Sequence, residues 1–157
     1  MAMVLSQDYD IAVLKIPETE NGWPHMSFPR VWNTLEGEEV ATSGFPLRDF
    51  YNSSTLPNLF SGIVSHIDER YIKGIGWDKF NLVLDISVHP GNSGGPVFKA
   101  NSGEVIGIIA NQRLRELSLQ NSDESQSVAG VWTNITNCVP WTQIKPLVDD
   151  MKKKYSV

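Results

Sequence analysis

Of the 157 residues, only Cys138 is a cysteine. No disulfide can close within the chain, which argues against a small secreted domain stapled by bridges and is compatible with the cytoplasm or with bacterial export. Long apolar runs are missing too: the stretch from Val105 to Ala110 falls far short of the roughly 20 residues that a membrane-spanning helix needs. The opening "MAMVLSQDYD" has neither the basic start nor the apolar middle of a signal peptide, so the chain reads as soluble, with no membrane partner. Positive charge is sparse, with 13 Lys and Arg against 18 Asp and Glu, and it is dispersed except for Lys152, Lys153 and Lys154. Without a basic stripe to track a phosphate backbone, nucleic acid is not an expected partner. No long amphipathic helix separates the β-type runs, which argues against a parallel α/β sheet.

What is present is a series of short β-type segments: "DIAVLKI" (10–16), "EEVATSGF" (38–45), "LFSGIVSHI" (59–67), "FNLVLDISV" (80–88), "GPVFKA" (95–100), "EVIGIIAN" (104–111) and "SVAGVWTNI" (127–135). They are rich in Val, Ile and Phe and bounded by Gly, Pro, Asn and Ser, the pattern of an all-β barrel or sandwich. "NSGE" (101–104) is a tight turn, so 95–111 should form a hairpin. The polar segment 111–126 reads as a surface loop between strands. After "NCVP" the period changes: Ile144, Leu147, Val148, Met151 and Tyr155 recur at helical spacing. Pro146 is expected in the first turn, Asp149 and Asp150 early, and the three lysines late, in accord with the helix dipole.

The segment "HPGNSGGPVF" (89–98) puts three glycines, two prolines and one serine between apolar runs. Acyl transfer needs a hydroxyl presented at a bend, with backbone N–H groups aimed where a carbonyl oxygen becomes an oxyanion. Glycine permits the turn and the close approach of substrate. By itself the string is also compatible with a Gly-rich β-turn that happens to hold a serine.

The string "PGNSGGPV" resembles the nucleophile loop of the trypsin-like (chymotrypsin-fold) serine peptidases, and is most similar to the high-temperature-requirement branch and related bacterial enzymes. Three further stretches resemble that family in the same order: "DYDIAVLKI", "GEVIGIIANQ" and "AGVWTNITNCVPWTQIK". The resemblance implies an all-β, chymotrypsin-like double β-barrel, with an incomplete N-terminal barrel over 1–57 and a six-stranded C-terminal barrel with a terminal helix over 58–157. It also implies a serine endopeptidase that works through an acyl-enzyme on Ser93. Asp10 would orient a histidine, Gly91 and Ser93 N–H groups would form the oxyanion hole, and no metal or cofactor is called for. Asp8 competes with Asp10 but lacks the Ile-Ala that follows the family's aspartate.

In that family the triad histidine precedes the aspartate by roughly 45 residues. None of the nine residues before Asp10 is a histidine, and His25, His66 and His89 all follow it. The resemblance then implies a chain that begins inside the first barrel and has little or no peptidase activity by itself. The inner faces of "DIAVLKI" and "EEVATSGF" would be exposed, favouring self-association or the need for an upstream segment or second chain. By the same resemblance Ser87 floors the pocket for the residue before the scissile bond, His89 lies on its wall and Gly130 leaves the wall open. Ala110, Asn111 and Gln112 would pair with an extended polypeptide substrate. With no acid at the mapped floor, a small or medium apolar residue is expected there. Asn92 replaces the aspartate that digestive trypsins pair with a freed amino terminus, so activation by that route is not implied. Two alternatives remain: a non-catalytic peptide-binding or scaffold module that has lost its base, and an enzyme whose base comes from another chain.

Overall fold

The computed structural model describes residues 2–6, 10–46, 56–67, 82–120 and 126–155. Eight strands and one helix follow in order: β1 Ala2–Leu5, β2 Ala12–Lys15, β3 Glu39–Gly44, β4 Asn58–Ile67, β5 Leu82–Asp85, β6 Pro96–Lys99, β7 Val105–Gln120, β8 Gln126–Pro140 and α1 Trp141–Tyr155. Strands β3 to β8 close into a six-stranded barrel in the order β3-β4-β5-β8-β7-β6, while β1 and β2 form a separate antiparallel pair. This is the all-β architecture expected: a closed six-stranded barrel with a terminal helix, and a two-stranded sheet before it.

Alternation builds the barrel. Val40, Val64, Leu82, Leu84, Val97, Ile106 and Cys138 point inward and are each at most 2% exposed. Burying an aliphatic side chain of this size contributes roughly 1.5–3 kcal/mol. Cys138 belongs to this core, where desolvation pushes its thiol pKa far up and leaves the thiol unreactive. The seam is the β3–β6 ladder, Val40↔Lys99 to Thr42↔Val97, and closing it removes the open edges these strands would otherwise present.

The seam draws its first strand from before residue 58, so the division expected at 57/58 runs through the barrel. For the same reason the inner face of β3 is covered, contrary to expectation: Val40 and Thr42 are fully buried. The expected exposure holds only for the hairpin before it. Registers Met3↔Leu14 and Leu5↔Ala12 place Met3, Leu5 and Leu14 on one face of β1–β2, where they are 49%, 59% and 49% exposed.

The "NSGE" turn joins β6 to β7 as read. Gly103 takes φ +71°, its N–H donates to Lys99 O at 2.9 Å, and Lys99 N–H donates to Glu104 O at 3.0 Å. The described part of segment 111–126, residues 111–120 and 126, is strand and not the expected surface loop. β7 continues to Gln120 and β8 begins at Gln126, paired from Leu114↔Trp132 to Gln120↔Gln126 as a two-stranded ribbon running on from the barrel. Cross-strand main-chain pairing carries this element, so a polar composition did not reveal it. Helix α1 also starts earlier than its apolar period suggests. Trp141 is buried, stacks on Phe28 with ring centroids 3.8 Å apart and donates Nε1–H to Pro29 O at 3.2 Å. This anchor sets the first turn, leaving Pro146 inside the helix and no acid in the first turn, while the lysines occupy the last one.

One buried ion pair ties the strap before β3 to the seam. Lys99 Nζ lies 2.9 Å from Glu38 Oε1, the two side chains being 5% and 19% exposed, and it donates to Asn33 Oδ1 at 2.8 Å. Removing one partner strands the other charge, so Lys99→Ala is expected to lower unfolding free energy by about 3 kcal/mol. Urea denaturation of Lys99→Ala, Glu38→Gln and the double variant checks this, and a double variant no better than Lys99→Ala would refute the charge-stranding explanation.

Candidate active site

Two interlocked β-turns carry the serine. In the first, His89–Asn92, Pro90 and Gly91 are central and Asn92 N–H donates to His89 O at 3.0 Å. In the second, Asn92–Gly95, Ser93 and Gly94 are central and Gly95 N–H donates to Asn92 O at 2.9 Å. Each places glycine third, Gly91 with φ +102° and Gly94 with φ +83°, the backbone that a type II turn demands and an L side chain resists. Proline second in the first turn supplies the matching φ.

The main-chain donors of this loop can be accounted for one by one. Pro90 has none. Asn92 and Gly95 close the turns, and Gly94 N–H donates to Ile109 O at 2.8 Å, with Ile109 N–H returning to Gly95 O at 2.9 Å. Among the described residues, the N–H groups of Gly91 and Ser93 have no hydrogen-bond partner. Two free amides therefore flank Asn92, and Ser93, second in its turn, is exposed.

A cleft of about 630 Å³ opens beside the loop, within the size range of ligand sites. Asp10, Ser93, Ala110 and Asn111 line it over an apolar base that includes Ile11 and Ile109. Asp10 is exposed; the next residue, Ile11, is 8% exposed and packs with Val139, Trp141 and Ile144. That anchoring places the aspartate on the wall of the cleft that Ser93 also lines. Asp8, its competitor, lies outside the described residues.

The three histidines stand elsewhere. His25 is exposed, with Nδ1 3.0 Å from Trp23 O. His66 Nδ1 pairs with Glu36 Oε1 at 3.0 Å. That oxygen also accepts Ile67 N–H at 2.9 Å; the backbone bond first and His66 second hold the Glu36 carboxyl below the usual range. His89 is half-buried and edge-on to Phe60, with centroids 6.4 Å apart. None of the three lines the cleft.

Of the residues expected to receive substrate, Ala110 and Asn111 line the cleft with Asp10 and Ser93, whereas Ser87, His89, Gln112 and Gly130 do not. β7 shifts register between Ile109 and Asn111, a bulge that leaves Ala110 outside the ladder beside the serine loop. Asn111 Oδ1 accepts Asn137 Nδ2–H at 2.8 Å. Ser87 is exposed just past β5. The β5–β8 register ends at Asp85↔Ile135, two residues before Ser87. Gly130 stands farther along the ribbon, opposite Glu116. Thr133 is fixed by its carbonyl, which accepts Gln112 Nε2–H, and by its hydroxyl, which donates to Arg113 O at 2.8 Å.

The model of the trypsin-like peptidase domain family matches residues 2–108. The chain belongs to that family. The match takes in Asp10 and the whole serine loop. Over 148 residues the domain is 28% identical to the peroxisomal leader peptide-processing protease of Mus musculus, covering 94% of this chain and 22% of that protein. Over 147 residues it is 24% identical to the protein named serine protease HtrA-like of Staphylococcus aureus strain USA300, covering 92% of this chain and 17% of that protein. This peptidase domain thus spans about a fifth of the length of these relatives. No described helix is long and apolar enough to cross a membrane.

Proposed function

We propose that the domain supplies the nucleophile, the orienting acid and the oxyanion hole of a serine endopeptidase, and that its histidine comes from polypeptide outside these 157 residues. The observation that carries the reading is the pair of N–H groups, Gly91 and Ser93, without a partner among the described residues, around an exposed hydroxyl in a cleft that Asp10 also lines. Ser93 Oγ would attack the substrate carbonyl carbon while its proton passes to the imported imidazole, which Asp10 holds in orientation and tautomer. The two amides would receive the negative oxygen as the C=O π bond opens. Collapse breaks the C–N bond, the imidazolium protonates the departing amine, and water then hydrolyses the acyl-serine by the same route.

Substrate would lie as an added strand. β6 covers β7 only as far as Ile108, and Ile109 bonds to the serine loop. From Ala110 onward the outer edge of β7 has no strand partner among the described residues, which suits main-chain pairing to an extended peptide beside Ser93. If Ser87 floors the pocket, as the family resemblance implies, the lack of an acid there would favour a small or medium apolar residue before the scissile bond. The apolar outer face of β1–β2 is where added strands would complete the first barrel. The absence of a histidine from the cleft favours one second reading, a peptidase-like module that binds extended peptides without cleaving them.

Fluorophosphonate labelling tests the pair. The chain alone is expected to label at Ser93 slowly if at all, and to label rapidly once the histidine-bearing segment is added, with concentration-dependent self-association of the bare domain falling at the same time. Failure to label in the completed protein would leave the binding module.

A further inference from the structure

Behind the serine loop, the end of β3 and the loop meet main chain to main chain. A methyl on Gly95 would sit 2.7 Å from Ser43 O, one on Gly91 2.3 Å from Phe45 O, and one on Gly44 2.3 Å from Asn92 Oδ1 and 3.1 Å from Asn92 Cα. Gly91 and Gly95 belong to the loop: the first turn requires the φ of Gly91, and a methyl on Gly95 would also meet Asn92 O of its own turn at 2.9 Å. Gly44 lies outside the loop: it is a buried residue of β3 paired with Asn58, and it is not part of the cleft lining.

Its counterpart, Asn92, is fully buried, yet among the described residues neither Oδ1 nor Nδ2 has a hydrogen-bond partner. A buried carboxamide without partners is costly, so hydrogen bonding does not hold this side chain in place. Space does. Asn92 is also the residue both turns share, its N–H closing the first and its C=O the second. The position of Asn92 therefore decides where the amides on either side of it stand.

We propose that Gly44 is a positioning residue for the oxyanion amides: the space left by its absent side chain is the socket that seats Asn92, and through Asn92 it sets both turns. The inference deepens the peptidase reading, because it assumes that the Gly91 and Ser93 amides receive the oxyanion. It assigns a role in that site to a residue outside the loop and outside the cleft. Any side chain at 44 displaces Asn92, and the oxyanion hole opens with no change in the surface that substrate meets.

The test is amide hydrogen exchange on the full chain, which needs no catalysis. In Gly44→Ala, exchange at Gly94 and Gly95, whose N–H groups bond to Ile109 O and Asn92 O, is expected to speed up about tenfold or more relative to Leu84 in the barrel. The double variant Gly44→Ala/Asn92→Ala, in which the new methyl occupies the space the carboxamide leaves, should return both amides to within about threefold of the parent. Unchanged exchange in Gly44→Ala, an equal increase throughout the barrel, or no recovery in the double variant would each overturn the proposal. Should Gly44→Ala not fold, the double variant decides: parent-like exchange upholds the socket, and failure to fold refutes it. A loop that responds as expected in a protein whose Ser93 never labels would keep the socket and remove the peptidase reading. The reverse pair of results would do the opposite.

Discussion

Ser93→Ala, in the protein completed with its histidine, is expected to lower kcat for peptide hydrolysis by about 10⁶, with stability changed by less than about 0.5 kcal/mol. The two halves of that expectation come from the same geometry. The residue is exposed at the second position of its turn, and among the described residues its side chain has no hydrogen-bond partner. The hydroxyl can therefore be removed without disturbing anything that holds the loop. Its value lies wholly in attack, since nucleophile and base act as one unit. Parallel measurement of kcat and thermal midpoint checks the claim. Turnover within tenfold of the parent would dismiss Ser93 as nucleophile, and a large drop in midpoint would show that its hydroxyl holds the loop together.

Gly91→Ala is expected to cost about 10²–10³ in kcat, the value of one oxyanion donor, together with about 1–3 kcal/mol of stability. Two independent constraints act at this residue. Its φ of +102° is one that an L side chain resists, and the added methyl would sit 2.3 Å from Phe45 O and 3.2 Å from Pro46 Cα, main-chain atoms that cannot swing aside. The first turn has to open, carrying the Gly91 N–H away from its place. Gly94 is the internal control: its φ is +83°, but nothing lies within 4 Å of an added methyl. Gly94→Ala should show only the strain of its backbone, so a kcat loss equal to that of Gly91→Ala would argue against the amide assignment. KM should change little in Gly91→Ala, because Gly91 is not part of the cleft lining.

Much of the strand order was open to reading because a barrel strand carries its own signal. In "EEVATSGF" the inward residues Val40 and Thr42 alternate with their neighbours, and in "NSGE" a single glycine with φ +71° marks the turn. Where the stabilising contacts come from elsewhere, local pattern was mute. β1 has only four residues and rests on its pairing with β2. The outer half of β7 is polar and rests on its pairing with β8. Helix α1 begins at Trp141 because Phe28 and Pro29, more than a hundred residues earlier, hold its ring.

The site divides along the same line. The chain itself determined the paired turns, since Pro90, Gly91, Ser93 and Gly94 impose by neighbouring backbone preferences the bend that exposes the hydroxyl and leaves two amides without a partner among the described residues. Only the tertiary structure decided that Asp10 and Ser93 line one cleft and that Gly44 lies against Asn92. Backbone preference acts within a few residues and can be read there, whereas a meeting across the barrel depends on the registers of all six strands together, which no single stretch of residues contains.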